Sequence, residues 1–282
     1  MIRAKKSLGQ NFLSDARVAQ RIIDAVSPSH ADLIIEIGAG TGSLTRMLVD
    51  RSGFVVAVEV DSRLTELLRR EIRAANLSVV RADALILNWN ELIDEARSKS
   101  VALSRHDSDL NRVRVVANLP YYISTPIIER LFSVAGRVFD MTLMLQKEVA
   151  DRITSGPGGR DYGYLSVLVQ YHSIATKLFE VPPSAFTPAP KVQSAVIRLR
   201  MLAQPPVEVA NERKFFKFVQ ICFAQRRKTI LNNLKAAAGS GEFTRDVESA
   251  LGAASVAPGR RAETLSLVEF GRLFDVLYQE SE

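Results

Sequence analysis

Leu33-Ile34-Ile35-Glu36-Ile37-Gly38-Ala39-Gly40-Thr41-Gly42 decides the fold. A largely apolar, β-branched run of strand length ends in a glycine loop, and Ser43–Arg51 beyond it has a helix-like pattern. Glycine lets the backbone turn sharply and lets a ligand come close to it. A strand, loop and helix of this composition therefore point to a nucleotide-type site at the carboxyl end of a sheet. The spacing separates ligand classes. The dinucleotide fingerprint is G-x-G-x-x-G, whereas Gly38, Gly40 and Gly42 give G-x-G-x-G behind an acid, Glu36. A carboxylate there disfavours a pyrophosphate and suits a cation. S-adenosylmethionine carries a sulfonium and an ammonium and no phosphate, so it fits better than the nicotinamide cofactor of a dehydrogenase.

Six further strand-like runs follow: Phe54–Val60, Leu77–Arg81, Val113–Ala117, Met141–Gln146, Ala175–Val181 and Ser194–Arg200. Helix-like segments such as Arg63–Ala74 lie between the early ones, which predicts a mainly parallel sheet covered on both faces. The last two runs are joined by a Pro-rich stretch with no helix. That predicts an antiparallel pair, and a sheet of six parallel strands with one antiparallel edge strand. Arg97–Arg112 and Gly156–Arg160 read as exposed loops. Gln204-Pro205-Pro206 reads as a linker, after which Glu212–Ala238 and Leu265–Tyr278 read as helices and no strand pattern remains. The expected division is 1–204 for a sheet domain and 205–282 for a small helical one.

Two more acids fit the cationic ligand. Glu59 closes the second run, where an acid can hold ribose hydroxyls. Asp83 follows the third run, with Ala84 beside it, placed to accept from an adenine amino group. The fourth run leads into Asn118-Leu119-Pro120-Tyr121. Pro120 has no N–H and a fixed φ, so the chain turns from strand geometry and the Leu119 carbonyl escapes the ladder. With the Asn118 amide, that gives two acceptors for an exocyclic amine, and Tyr121 offers a face for a base. Taken alone, the tetrad reads equally well as a strand-end turn.

A hydrophobic share of 47% and a charged share of 24% over 282 residues place the chain among soluble globular proteins. The net charge of +6 favours a polyanionic partner. A single cysteine, Cys222, excludes an internal disulfide, and His30, His106 and His172 lack metal-ligand spacing, so no metal is expected. No run has the length of a signal peptide or a membrane span, which predicts a cytoplasmic protein. Seven basic residues and no acid fall between Arg213 and Lys235, with Phe215, Phe216, Phe218 and Phe223 interleaved. The helical period buries most of these rings and turns the charges outward. Arg226, Arg227 and Lys228, with Lys5, Lys6 and Lys191, are candidate phosphate contacts, against the plainer reading of a solvated basic face.

Taken together, these motifs resemble the small-subunit ribosomal RNA adenine N6,N6-dimethyltransferases. The likeness is carried by Leu8-Gly9-Gln10-Asn11-Phe12-Leu13, by Glu36–Gly42, by Asn118–Tyr121 with Tyr122-Ile123-Ser124-Thr125-Pro126, and by Phe186–Ser194. Phe223–Ile230 and Arg261-Ala262-Glu263 add the helical part. The resemblance implies an α/β, Rossmann-like class I S-adenosylmethionine-dependent methyltransferase with a seven-stranded sheet and a small C-terminal all-α domain. It implies that Asn11, Leu13, Gly38, Glu59, Asp83 and Asn118 touch the cofactor or its surroundings. It also implies that Tyr121 and Phe186 flank the target adenine. The expected reaction is dimethylation of two adjacent adenines in a hairpin near the 3′ end of 16S ribosomal RNA, on the small ribosomal subunit, by a monomer. A large-subunit methyltransferase of the macrolide-resistance type shares the tetrad and is the nearest rival. A non-catalytic assembly or transcription factor is the rival from another class.

Overall fold

The computed structural model describes residues 4–5, 8–103, 110, 112–239, 243 and 246–278. In chain order the strands are β1 (Phe12–Leu13), β2 (Asp32–Ile37), β3 (Phe54–Glu59), β4 (Leu77–Arg81), β5 (Arg112–Asn118), β6 (Asp140–Gln146), β7 (Ser173–Val181), β8 (Phe186–Thr187) and β9 (Ser194–Met201). The helices are α1 (Ala16–Val26), α2 (Thr45–Val49), α3 (Ser62–Glu71), α4 (Trp89–Leu103), α5 (Ser124–Phe132), α6 (Lys147–Thr154) and α7 (Tyr164–His172). After them come α8 (Glu212–Cys222), α9 (Ile230–Ala238), α10 (Val247–Ala253) and α11 (Leu267–Tyr278). Among the described residues no helix is long and apolar enough to cross a membrane, and no group of three His, Cys, Asp or Glu could hold a metal.

All seven expected strands form one sheet in the order β4-β3-β2-β5-β6-β9-β7. The β3–β4, β2–β3, β2–β5 and β5–β6 pairings are parallel. Every residue of β2 and β3 is buried, as expected for inner strands with helices on both faces. β9 runs antiparallel to β6, but it is not the edge strand the sequence reading expected. It lies between β6 and β7. Burial explains the swap: β9 is buried from Ser194 to Ile197 and again at Leu199, whereas most of β7 is exposed or half-exposed and so suits an edge.

The amino ends of the strands are tied by charge. The Arg114 guanidinium donates to both Asp140 oxygens (2.7 and 2.6 Å) and to Asp32 Oδ2 (3.3 Å), and Arg112 Nε donates to Asp32 Oδ1 (2.8 Å). Asp32, Arg114 and Asp140 are all buried. The functional residues lie at the opposite, carboxyl ends.

The chain divides into two compact units. One comprises Met1–Ala150 with Ile174–Met201, the other Asp151–Ser173 with Leu202–Glu282. The later division lies between Met201 and Leu202, against 204/205 in the sequence reading. The segment Asp151–Ser173, which the sequence reading assigned to the sheet domain, groups instead with the C-terminal helices. There Tyr162, Val167 and Tyr171 share a core with Phe215, Phe218, Phe270 and Phe274. Cys222 is buried in this core, which pushes its thiol up. Burial also pushes His172 down to about 4, leaving a neutral imidazole.

Two helical expectations change. Glu212–Ala238 is not one helix: it breaks after Cys222 and restarts at Ile230. The buried Asn233 side chain donates to the carbonyls of Cys222 (2.8 Å) and Gln225 (3.3 Å), satisfying the broken end, and Thr229 caps the new helix through its bond from the Asn232 amide. Arg97–Arg112 is not wholly a loop either. α4 runs on to Leu103 because Trp89, Leu92, Ile93, Ala96 and Ser100 recur at helical spacing and are buried. The rest of that segment lies largely outside the described residues, as do Lys6 and His106.

Candidate active site

The carboxyl ends of β2, β3, β4 and β5 open into one cavity. Its walls include Glu36, Gly38, Gly40, Glu59, Asp83, Ala84 and the whole tetrad Asn118–Tyr121, with Leu8–Leu13 of the N-terminal segment on another side. Every cofactor and tetrad residue expected from the sequence therefore meets there. Phe186 does not.

The glycine loop takes a path that side chains resist. Gly38, Gly40 and Gly42 have φ of 73°, 57° and 83°, in the left-handed region. The Gly38 amide donates to the Val58 carbonyl (2.8 Å), tying the loop to β3, and a Cβ on Gly38 would lie 3.5 Å from the Asn118 carbonyl oxygen. A Cβ on Gly42 would meet Ile72 Cδ1 at 2.8 Å and Leu68 Cδ2 at 3.0 Å. Gly38 thus keeps the cavity floor open, and Gly42 lets the loop pack closely on the α3 side chains.

The three acids differ in their surroundings. Glu36 is buried and accepts the Thr45 hydroxyl (2.6 Å). Desolvation raises its carboxyl to about 8, partly opposed by the Thr45 bond and reinforced by the charge of Glu59. Glu59 accepts the amides of Gly40 (2.9 Å) and Asp61 (3.0 Å). Burial still pushes it up against those bonds. Asp83 is exposed and accepts the Leu85 amide (2.9 Å), which fixes the turn after β4.

At the tetrad, the last rung of the β5–β6 ladder pairs Asn118 with Met144, and the Leu119 amide still donates to the Met144 carbonyl (3.2 Å). The Leu119 carbonyl accepts no hydrogen bond among the described residues. Asn118 Nδ2 donates to the Asn11 carbonyl (3.2 Å), so the amide nitrogen is used and Oδ1 has no protein partner among the described residues. Tyr121 is half-buried, its hydroxyl 2.6 Å from Ser194 Oγ on β9. That bond sets the position of the ring.

Asp61 is a site residue that the sequence reading missed. It caps α3 and accepts from Lys5 Nζ (3.2 Å), Gln10 Nε2 (3.3 Å) and the Arg63 guanidinium (2.7 Å), which together hold its carboxyl well below the usual carboxylate range. It straps the N-terminal segment over the cavity. Asp61-Ser62-Arg63 ahead of an amphipathic run is a legible N-cap signal, but its partners lie too far away in sequence to be read. Lys5, a candidate phosphate contact, is committed to this ion pair.

Two further expectations are corrected. Phe186 pairs with Leu13 in the short β1–β8 ladder, and the residue is 3% exposed within an apolar cluster that includes Leu13, Ile22 and Val196. In this conformation it has no free face for an adenine. Arg226 lies in the turn between α8 and α9 rather than on a helix face. It donates to the carbonyls of Arg160 (2.8 Å) and Tyr162 (3.2 Å) and pairs with Glu263 (3.4 Å). It therefore braces its own unit. Arg227, Lys228 and Lys191 are exposed and make no ion pair among the described residues.

Residues 1–275 match the family model described as Ribosomal RNA adenine dimethylase. A relative from Anoxybacillus flavithermus called Ribosomal RNA small subunit methyltransferase A is 43% identical over 276 residues, covering 97% of this chain and 90% of the relative. One of the same name from Alkaliphilus oremlandii is 43% identical over 270 residues, covering 95% and 90%. Among solved structures, the 23S rRNA methyltransferase ErmE matches with a TM-score of 0.67 at 27% identity, over 95% of this chain and 100% of that one. A dimethyladenosine transferase from Plasmodium falciparum matches in fold with a TM-score of 0.74 at 24% identity, over 93% and 95%. The fold is that of the class I S-adenosylmethionine-dependent methyltransferases.

Proposed function

This chain belongs to the ribosomal RNA adenine dimethylase family, and from that premise we propose that it methylates two adjacent adenines in a hairpin near the 3′ end of 16S ribosomal RNA during small-subunit assembly. The observation that carries the chemistry is the pair of unused acceptors at the end of β5, Asn118 Oδ1 and the Leu119 carbonyl. The adenine amine is a poor nucleophile because its lone pair is delocalised into the ring. Two acceptors on its hydrogens draw the nitrogen towards tetrahedral geometry and aim the lone pair. They also stabilise the positive charge that develops there. Tyr121 supplies a face for the unstacked base.

The cavity suits S-adenosylmethionine. Two buried carboxyls, Glu36 and Glu59, are both pushed up by desolvation, which a ligand bringing positive charge or hydroxyl donors relieves. The glycine cradle at Gly38 leaves room that a side chain would fill. When bound, this group supplies the methyl and leaves as a neutral thioether. Glu59 would hold the ribose hydroxyls and Asp83 with Ala84 the adenine edge, with Asn11, Leu13 and Gly40 completing the enclosure. The methylated amine is acidic enough to lose its proton to water, so no residue is assigned as a base. In the helical unit Arg227 and Lys228, and in the sheet unit Lys191, contact phosphates and give salt-dependent affinity.

The test is methyl transfer from labelled S-adenosylmethionine to unmodified small subunits and, separately, to unmodified large-subunit RNA, with the product nucleosides identified by mass. Dimethyladenosine from small subunits alone is expected. Transfer to large-subunit RNA would reassign the substrate, and transfer to neither, with RNA still bound, would favour a non-catalytic factor.

A further inference from the structure

We propose that Tyr122 is the second aromatic platform of the site and stacks on the nucleotide beside the target adenine, an inference that rests on the adenine-methylating reading above. Withdrawing a base from an RNA stack uncovers its neighbour as well, and an aromatic face can cover that neighbour. Phe186 offers no free face in this conformation, because it is buried in the cluster with Leu13. Tyr122 does. It is 60% exposed, the one aromatic among the exposed large apolar side chains of the described residues. It sits in the short 3-10 turn Tyr121–Ile123, one residue beyond the ring that Ser194 holds.

The support beneath it is a glycine. Gly9 has φ of 58°, and a Cβ there would lie 3.0 Å from both Cδ1 and Cε1 of Tyr122. The ring thus rests against the bare backbone of the N-terminal strap. Gly9, Pro120, Tyr121 and Ile123 all line the cavity, which puts Tyr122 at its rim. The Tyr122 hydroxyl has no hydrogen-bond partner among the described residues. A ring backed by backbone, with its hydroxyl idle and most of its surface in solvent, does little for the core. Its chemistry is that of a stacking platform, tolerant of base identity because every base has a π-face.

The experiment compares Tyr122→Ala, Tyr122→Phe and Tyr122→Trp with the parent in the full chain, using unmodified small subunits. It measures KM and kcat for the subunits and, by calorimetry, affinity for S-adenosylmethionine. Loss of one base–aromatic stack predicts a KM about tenfold higher for Tyr122→Ala. The loss should be carried by KM rather than kcat, with cofactor affinity unchanged. Tyr122→Phe and Tyr122→Trp should restore the parent KM. A Tyr122→Ala protein with the parent KM overturns the proposal. So does a loss of cofactor affinity, which would make the ring a prop for the Gly9 strap, or failure of Tyr122→Phe to restore KM. Failure of the underlying reading shows separately, as absence of methyl transfer by the parent itself.

Discussion

Glu36→Gln isolates the buried carboxyl at the entrance of the glycine loop. Burial lifts Glu36 from the usual 4.5 to about 8. The folded protein therefore holds a proton that the unfolded chain sheds near pH 4.5. Stability tied to this group is full below pH 4.5, falls as the pH rises towards 8, and stays low above it. A gap of roughly 3.5 in pH, at about 1.4 kcal/mol for each unit, amounts to about 5 kcal/mol, of which about 3 are lost by pH 7. Gln is neutral throughout and still accepts the Thr45 hydroxyl, so the variant should fold and escape this dependence. Urea unfolding of both proteins from pH 5 to 8 should show their stability difference moving by about 4 kcal/mol in favour of Gln. A positively charged ligand near the carboxyl favours its ionised form, so binding S-adenosylmethionine should release more protons from the parent than from the variant. Calorimetry in buffers of different ionisation enthalpy reads that release. A difference curve flat in pH, with equal proton release, would refute the reasoning.

Asn118→Ala should lower kcat by about 10²–10³, as loss of a preorganised electrostatic partner does, while RNA binding persists in a filter assay. Loss of RNA binding as well would make Asn118 structural. Asp140→Ala takes the bidentate partner from the buried Arg114 guanidinium and leaves it only Asp32 and the Ser27 carbonyl, and should cost about 3 kcal/mol of stability, measured by denaturant titration. Gly42→Ala forces a side chain to φ of 83° against Ile72 and Leu68 and should lower stability by about 1–3 kcal/mol, visible as a fall in Tm. In the basic turn, Arg227→Glu with Lys228→Glu should weaken RNA binding and flatten its salt slope by about two at an unchanged Tm. Arg226→Ala should lower Tm instead, since it strips donors from the carbonyls of Arg160 and Tyr162.

The sheet and most of the cavity could be read from the chain because both follow from local rules. β2, β3 and β5 are buried inner strands, so their apolar runs announce themselves. Ligands gather at the carboxyl ends of such strands, so Glu36, Glu59, Asp83 and Asn118 can be found by where each run stops. What escaped reading depends on distant partners. The β1–β8 pair has two residues on each side, too few for any pattern. The break between α8 and α9 is hidden because apolar spacing continues from Phe218 to Leu234, and what ends the helix is a buried amide, Asn233. The family resemblance places Phe186 beside the adenine, and nothing near it in sequence says that Leu13 covers it. Arg226 looked identical to Arg227, and only the position of Arg160 and Tyr162 tells them apart.

The place of β9 has a consequence for how the chain is made. Synthesis runs from the N-terminus, and β6 is complete at Gln146, whereas its antiparallel neighbour begins at Ser194. Until that stretch leaves the ribosome, the edge of Met141–Leu145 is bare, apolar and unpaired. The second unit waits longer still, since the core that Tyr162, Val167 and Tyr171 begin is complete only after Phe274 has been added. Neither unit can close in the order its residues appear. A nascent chain of this protein carries an open sheet edge through tens of residues of elongation, and that interval is when it is most exposed to aggregation and most dependent on chaperones.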